Sequence, residues 1–326
     1  MRPNLSVLLL TTLIGAGQGL FLALVTVELC ALFGLVPQPD GPGLYAHGSL
    51  IALVFLGGGL VASFFHLGRP ERAWRAAACW RTSWLSREVI VLPAFMGTVF
   101  LYAAAHLLHW KPLIALLPSG IAIGATVVLG IAGTVLAFAL FVCTAMIYAS
   151  LPFLREWASP LTVINYTLLG GASGFTLAAA FAALFAPDLT LFFAGWALLL
   201  TLLGFASRVA SLIRNRRLRP WSTLQTALGI KHPRIVQKAQ GFMGGSFNTR
   251  EFFHGKPAAR LSLVKWLFLA GAFALPASLL AACLAGAPAT LLLPAFIVQY
   301  VGLLAERWFF FAEANHPQNL YYQAVP

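Results

Sequence analysis

The chain has 326 residues, of which 60% are hydrophobic and only 9% charged; soluble domains average roughly 45–50% and roughly 25%. That balance excludes a soluble enzyme, a disordered chain and a disulfide-framed secreted domain, and leaves a polytopic membrane protein, for which the length-based domain prior does not apply. The remaining charge is lopsided, with 21 Lys+Arg against 9 Asp+Glu.

Apolar runs long enough to cross a bilayer core, about 20 residues each, predict eight spans, near 6–36, 46–66, 89–109, 120–149, 160–186, 189–213, 262–286 and 289–312. The expected fold class is therefore an all-α integral membrane protein, a bundle of eight transmembrane helices. Arg2 precedes the first run as in a signal peptide, but that run is too long and lacks an A-x-A site, so it reads as a true span. Gly15/Gly19, Gly120/Gly124 and Gly170/Gly174 are small-xxx-small pairs that suit close helix packing without naming a contact.

Eight spans put both termini on one side. Twenty of the 21 bases share that side, Lys111 being the exception. Because most lie in short segments at span ends, the positive-inside bias predicts cytoplasmic termini and a bacterial cytoplasmic (inner) membrane location. The 67–88 and 214–261 connections then face the cytoplasm, and the opposite connections are short. The 214–261 connection begins RNRRLRPW, and its 222–239 segment alternates apolar and basic residues as a surface helix would. Anchorage to anionic lipid and docking of a partner subunit both suit it. Nucleic acid does not, because the bases line a membrane face.

Residues 66–88 read HLGRPERAWRAAACWRTSWLSRE, five Arg, two Glu, one His and three Trp in a chain otherwise poor in polar groups. Arg and Trp are ordinary interfacial anchors, and Arg75, Arg81, Trp80 and Trp84 read that way. His66 and Glu88 differ, one ending a span and the other beginning the next, so the connection should bring them to the mouth of one cleft. Reducing a quinone takes two electrons and two protons, and an imidazole near neutrality with a partly buried carboxyl suits that proton transfer. Arg69 and Arg72 would favour a carboxylate, or negative charge on the ring. Four scattered Cys without a CxxC pair supply neither a metal site nor an iron–sulfur cradle, so electrons must come from a partner or a cofactor held some other way.

HLGRPERAW followed by WLSREV resembles the signature of the membrane anchor subunits of the dimethyl sulfoxide reductase type, haem-free eight-span proteins of molybdopterin oxidoreductases. The resemblance implies a quinone, ubiquinone or menaquinone, as reactant, with molybdopterin and iron–sulfur clusters held by a catalytic subunit and a ferredoxin-like subunit on the cytoplasmic face. It places the site histidine and glutamate on His66 and Glu88, and supporting positions on Gly68, Arg72 and Trp74. Arg69 stands where some relatives have a small polar residue. The orientation, together with STLQTALGIKHPRIVQKAQGFMGGSFNTREFFHG and ERWFFFAEANHPQNLYYQ, is more similar to the anchors of quinone-linked sulfite dehydrogenases than to those of reductases facing the periplasm.

His47, His106 and His109 cluster near the outer ends of spans two and three, where haem ligation is a lesser reading. Glu28 is expected near the outer headgroups, and Glu306 and Arg307 near the end of span eight. A secondary transporter and a purely structural anchor are the competing functions. The polar content lies at one rim instead of at the midplane, which disfavours the transporter.

Overall fold

A computed structural model describes residues 3–39, 43–116, 118, 121–220, 222–239, 252 and 258–322. Among them are eight helices long and apolar enough to cross a bilayer. They are α1 (Leu5–Leu32), α2 (Gly43–Phe64), α3 (Trp84–Leu107), α4 (Ala125–Ala149), α5 (Pro160–Phe185), α6 (Thr190–Arg216), α8 (Ala258–Leu284) and α9 (Leu292–Glu313), with a short α7 (Leu224–Leu228) between α6 and α8. Arg2, Gly241, Gly244, Gly245, most of FNTREFF and His254 lie outside the described residues.

Local chemistry sets the helix ends. The side chains of Asn4, Ser83 and Ser159 accept hydrogen bonds from backbone N–H groups in the first turns of α1, α3 and α5, and Pro160 opens α5 where no N–H is needed. The Ser83 cap starts α3 at Trp84, five residues before the predicted span. Glu88 therefore lies about 6 Å into the helix, at 1.5 Å per residue. α1 stops at Leu32, short of the predicted 36, because Gly34 turns left-handed (φ 69°). α2 ends at Phe64, so His66 stands in the turn beyond it.

Two expectations are corrected. Residues 122–124 do not begin α4 but form a strand, β2 (Ala122–Gly124), antiparallel to β1 (Leu113–Leu116), a small hairpin outside the bundle. Gly124 thus belongs to a strand and not to a helix, and Gly120 lies outside the described residues. The expected surface helix over 222–239 is only α7, capped reciprocally by Thr223 and Thr226 and ended by left-handed Gly229 (φ 69°).

α1 and α5 are the most enclosed spans and form the bundle's axis, with α2, α4 and α9 against α1, and α4, α6 and α9 against α5. The other two glycine pairs meet here. A Cβ on Gly15 would lie 3.4 Å from Gly170 Cα, and one on Gly19 would fall on the Gly170 carbonyl and Gly174 Cα. With no hydrophobic drive between helices inside lipid, such backbone approach supplies the packing energy. α8 and α9 cross in the same way at Gly271 and Gly302, where α8 widens into a π-helical stretch over Leu269–Ala274.

Candidate functional site

Between α2 and α3 the chain forms a 3-10 helix over Pro70–Cys79, none of it buried. His66, Gly68, Arg69, Arg72 and Trp74 are all exposed, Trp74 by 71%. Partial burial holds the His66 imidazole below its ordinary pKa. Arg72 reaches Glu71 at 3.8 Å with both side chains in solvent, a contact of small energetic weight. Apart from its chain neighbours, a Cβ on Gly68 would meet nothing among the described residues within 4 Å.

Arg87 is a brace that the sequence pattern does not reveal. Its Nε donates to the Trp80 carbonyl (2.9 Å), its Nη2 to the Arg81 carbonyl (2.8 Å), and its guanidinium lies 4.1 Å from the Trp84 ring centre. It ties the end of the connection to the first turn of α3. Arg87 stands beside the more conspicuous Glu88, and its acceptors are backbone carbonyls, which every residue carries and which leave no sequence signal.

Glu88 faces the other way. Its side chain is buried, and the Thr144 hydroxyl on α4 donates to Glu88 Oε1 at 2.5 Å. It borders a cavity of about 20 Å³ between α1, α3, α4, α5 and α9, whose polar wall includes Gln18, Glu88, Thr144, Tyr166, Ser173 and Arg307. By the criterion of roughly 10–15 Å³ per molecule, that space takes one or two waters and no ring. None of the five exposed residues lines it. The structure therefore keeps His66, Gly68, Arg69, Arg72 and Trp74 on one exposed segment, while Glu88 is buried in α3 beside a cavity that none of them lines.

A second cavity of about 10 Å³ lies toward the basic side. Tyr166 and Arg307 line both cavities, and the second reaches Glu156, Arg214 and Asn215 at the rim. The Arg307 guanidinium sits 3.7 Å over the Tyr166 ring, and the buried Tyr166 hydroxyl has no hydrogen-bond partner among the described residues. Arg208 Nε approaches Glu306 Oε1 at 2.7 Å, close but not aligned as a hydrogen bond. Arg208 also lies 3.8 Å from Glu313, and Arg307 lies 3.5 Å from Glu306. Glu306 and Arg307, expected near the end of span eight, are thus buried at 1% and 4% exposure, and Arg208 is buried at 2%. At the rim, Arg214 donates to the carbonyls of Arg155 and Ala158 (3.0 Å each), holding the 150–159 turn against α6.

At the outer end the expectation for Glu28 also changes. Its carboxylate is buried, accepts from Tyr102 Oη (2.8 Å) and lies 3.4 Å from His106 Nε2. His47 instead packs on Phe185, and His109 is exposed with a positive φ (53°), so each of the three histidines has a different environment. Among the described residues no group of three or more His, Cys, Asp or Glu is placed to hold a metal ion.

Residues 1–232 match the family model described as DMSO reductase anchor subunit (DmsC). Along its whole length the chain is similar to a sulfite dehydrogenase subunit of Allochromatium vinosum, 54% identical over 325 residues and covering 100% of both chains. The eight apolar helices, the exposed basic connection and these two matches agree: the chain is a multi-pass membrane protein and belongs to the DMSO reductase anchor subunit family.

Proposed function

We propose that this protein anchors a molybdopterin and iron–sulfur oxidoreductase at the bacterial cytoplasmic membrane and passes electrons from a ferredoxin-like subunit to the quinone pool during sulfite oxidation. The similarity to a sulfite dehydrogenase subunit supports the substrate, and the concentration of bases on one face supports cytoplasmic docking of the partners. Oxidation of sulfite with water yields sulfate, two electrons and two protons, and belongs to the catalytic partner. Bound quinone supplies the acceptor, taking up two electrons and two protons to become quinol.

The observation that carries the reading is Glu88, a carboxyl buried in the α3 turn that follows the exposed connection, held by Thr144 and backed by water-sized space. These residues fit a quinone. Its carbonyl oxygens need donors that lose and regain protons, which His66 and Glu88 are, and the open space over Gly68 leaves a flat ring unobstructed. Since the interior cavity takes water and no ring, the residues that would hold the ring are those of the exposed segment. Arg69 and Arg72 supply positive charge there, and Trp74 supplies an aromatic face.

The test is electron transfer from sulfite to decylubiquinone in membranes carrying the whole complex, with ferricyanide as an acceptor that bypasses the anchor. His66→Ala and Glu88→Gln should each lower the quinone reaction by about 100-fold, a general acid–base contribution, and leave ferricyanide reduction intact. Unchanged quinone kinetics in both variants would overturn the assignment. Reporter fusions at the two termini test the orientation, and periplasmic termini would contradict it.

A further inference from the structure

We propose that the two polar cavities and the ion cluster between them are a proton-delivery route from the basic face to Glu88, with Tyr166 and Glu306 as its positioning residues; the proposal rests on the quinone-site reading above. Quinone reduction at the rim consumes two protons per turnover, and a Glu88 that gives one up must be recharged. Glu88 is buried, so its proton must come through the protein.

The structure offers a path on one side. From Glu156 and Arg214 at the rim, the second cavity runs inward past Asn165 and Ser211 to Arg307 and Tyr166. There the first cavity begins and continues to Thr144 and Glu88. Each is large enough for at least one water by the roughly 10–15 Å³ criterion, and Tyr166, whose buried hydroxyl has no hydrogen-bond partner among the described residues, lines both. A hydroxyl that both donates and accepts can hand a proton between waters.

Charge along the path is balanced. Arg208 and Arg307 face Glu306 and Glu313, so a proton passing Arg307 does not meet an uncompensated cation of the kind that excludes protons from water pores. A purely structural cluster needs no adjoining water space. Here water-sized cavities flank the cluster.

Tyr166→Phe removes that hydroxyl and keeps the ring under Arg307; Glu306→Gln removes the central carboxylate. In the assembled complex, sulfite-to-decylubiquinone turnover is measured in light and heavy water, with ferricyanide reduction reporting assembly. We expect each variant to lower kcat by at least about tenfold with KM for decylubiquinone within about twofold of wild type, because the ring's own contacts are untouched. The solvent isotope effect on kcat should rise above that of wild type, a readout that loss of packing would not move. Should Glu306→Gln lower ferricyanide reduction in parallel, Tyr166→Phe decides alone. Normal kcat and isotope effect in Tyr166→Phe overturn the route. If His66→Ala and Glu88→Gln lose quinone turnover while Tyr166→Phe and Glu306→Gln keep it, only the route falls. If all four keep it, the quinone site falls as well.

Discussion

The two ends of the bundle each bury ionisable groups in a chain with few of them, and they do so differently. At the outer end Glu28 is enclosed by protein groups. Tyr102 donates to it, His106 lies against it, and the His106 ring is packed at 4.5 Å from both Tyr45 and Tyr102. Neither water-sized cavity reaches this cluster. The larger void nearby, about 390 Å³ between α3, α4 and the hairpin, is lined by apolar residues such as Leu101, Leu108 and Trp110. At the basic end Glu88, Tyr166, Arg307 and Glu306 border cavities that lead to the rim. Burial alone therefore does not mark function here. A cluster enclosed by protein groups fastens helices, whereas one beside water-sized space can exchange with an aqueous phase, and here that space reaches rim residues at the basic end.

Substitutions at the two ends should separate these roles. The largest effect is expected from Arg208→Ala, which leaves the Glu306 and Glu313 carboxylates without their shared cation. Breaking one side of a buried ion pair costs about 3–5 kcal/mol, so the melting temperature of the detergent-solubilised protein should drop well below that of wild type. A change within error would mean that this cluster is hydrated enough not to need its cation. Glu28→Gln should cost less, about 1–3 kcal/mol for a disturbed buried hydrogen-bond set, and leave sulfite-to-quinone turnover per assembled complex unchanged. Lost turnover at retained assembly would show that the outer cluster takes part in the reaction, and the contrast between the ends would fail.

The contrast was only half legible in the sequence. Spans follow from apolar length, which does not depend on knowing neighbours, and the eight helices lie where the runs do, with ends shifted by caps and turns such as Ser83 and Gly34. The glycine pairs were visible as motifs, but that Gly19 seats on Gly174 is a fact of helix crossing. Spans apolar on nearly all sides carry no amphipathic stripe to show which face turns inward. Glu28, Arg208, Glu306 and Arg307 therefore read as edge charges when they are buried. The Thr144 partner of Glu88 lies 56 residues away, on another helix, among many unremarkable threonines. His66 and the residues after it stood out because charge is scarce, and their exposure is what a segment awaiting a partner or ligand would show.

A subtler effect belongs to His66. Partial burial lowers its pKa below the ordinary value of about 6.5. An imidazole with a depressed pKa is neutral at physiological pH and takes up its second ring proton, the one it can give away, only as pH falls. The advantage of wild type over His66→Ala in quinone reduction should therefore grow between about pH 7.5 and about pH 5.5. A ratio that shrinks toward acid would mean that His66 serves as a proton acceptor, as in electron flow from quinol to the partner.

The smallest expected effect on the fold is the most selective probe of the exposed segment. In Gly68→Ala the added methyl meets, apart from its chain neighbours, no atom among the described residues within 4 Å, and surface changes of this kind usually stay within about 0.5 kcal/mol. Thermal stability should be that of wild type. If the open space over Gly68 is where the ring or the iron–sulfur subunit approaches, the same methyl must meet it, and either KM for decylubiquinone rises severalfold or assembly with the partner weakens. A rise in KM with kcat kept would place the ring at Gly68, since it reports binding lost equally from ground and transition states. Loss of ferricyanide reduction at the membrane would place the partner there instead. If the variant is wild type in both, neither touches Gly68, and the quinone-facing surface must lie closer to His66 and Glu88 than the 68–74 segment.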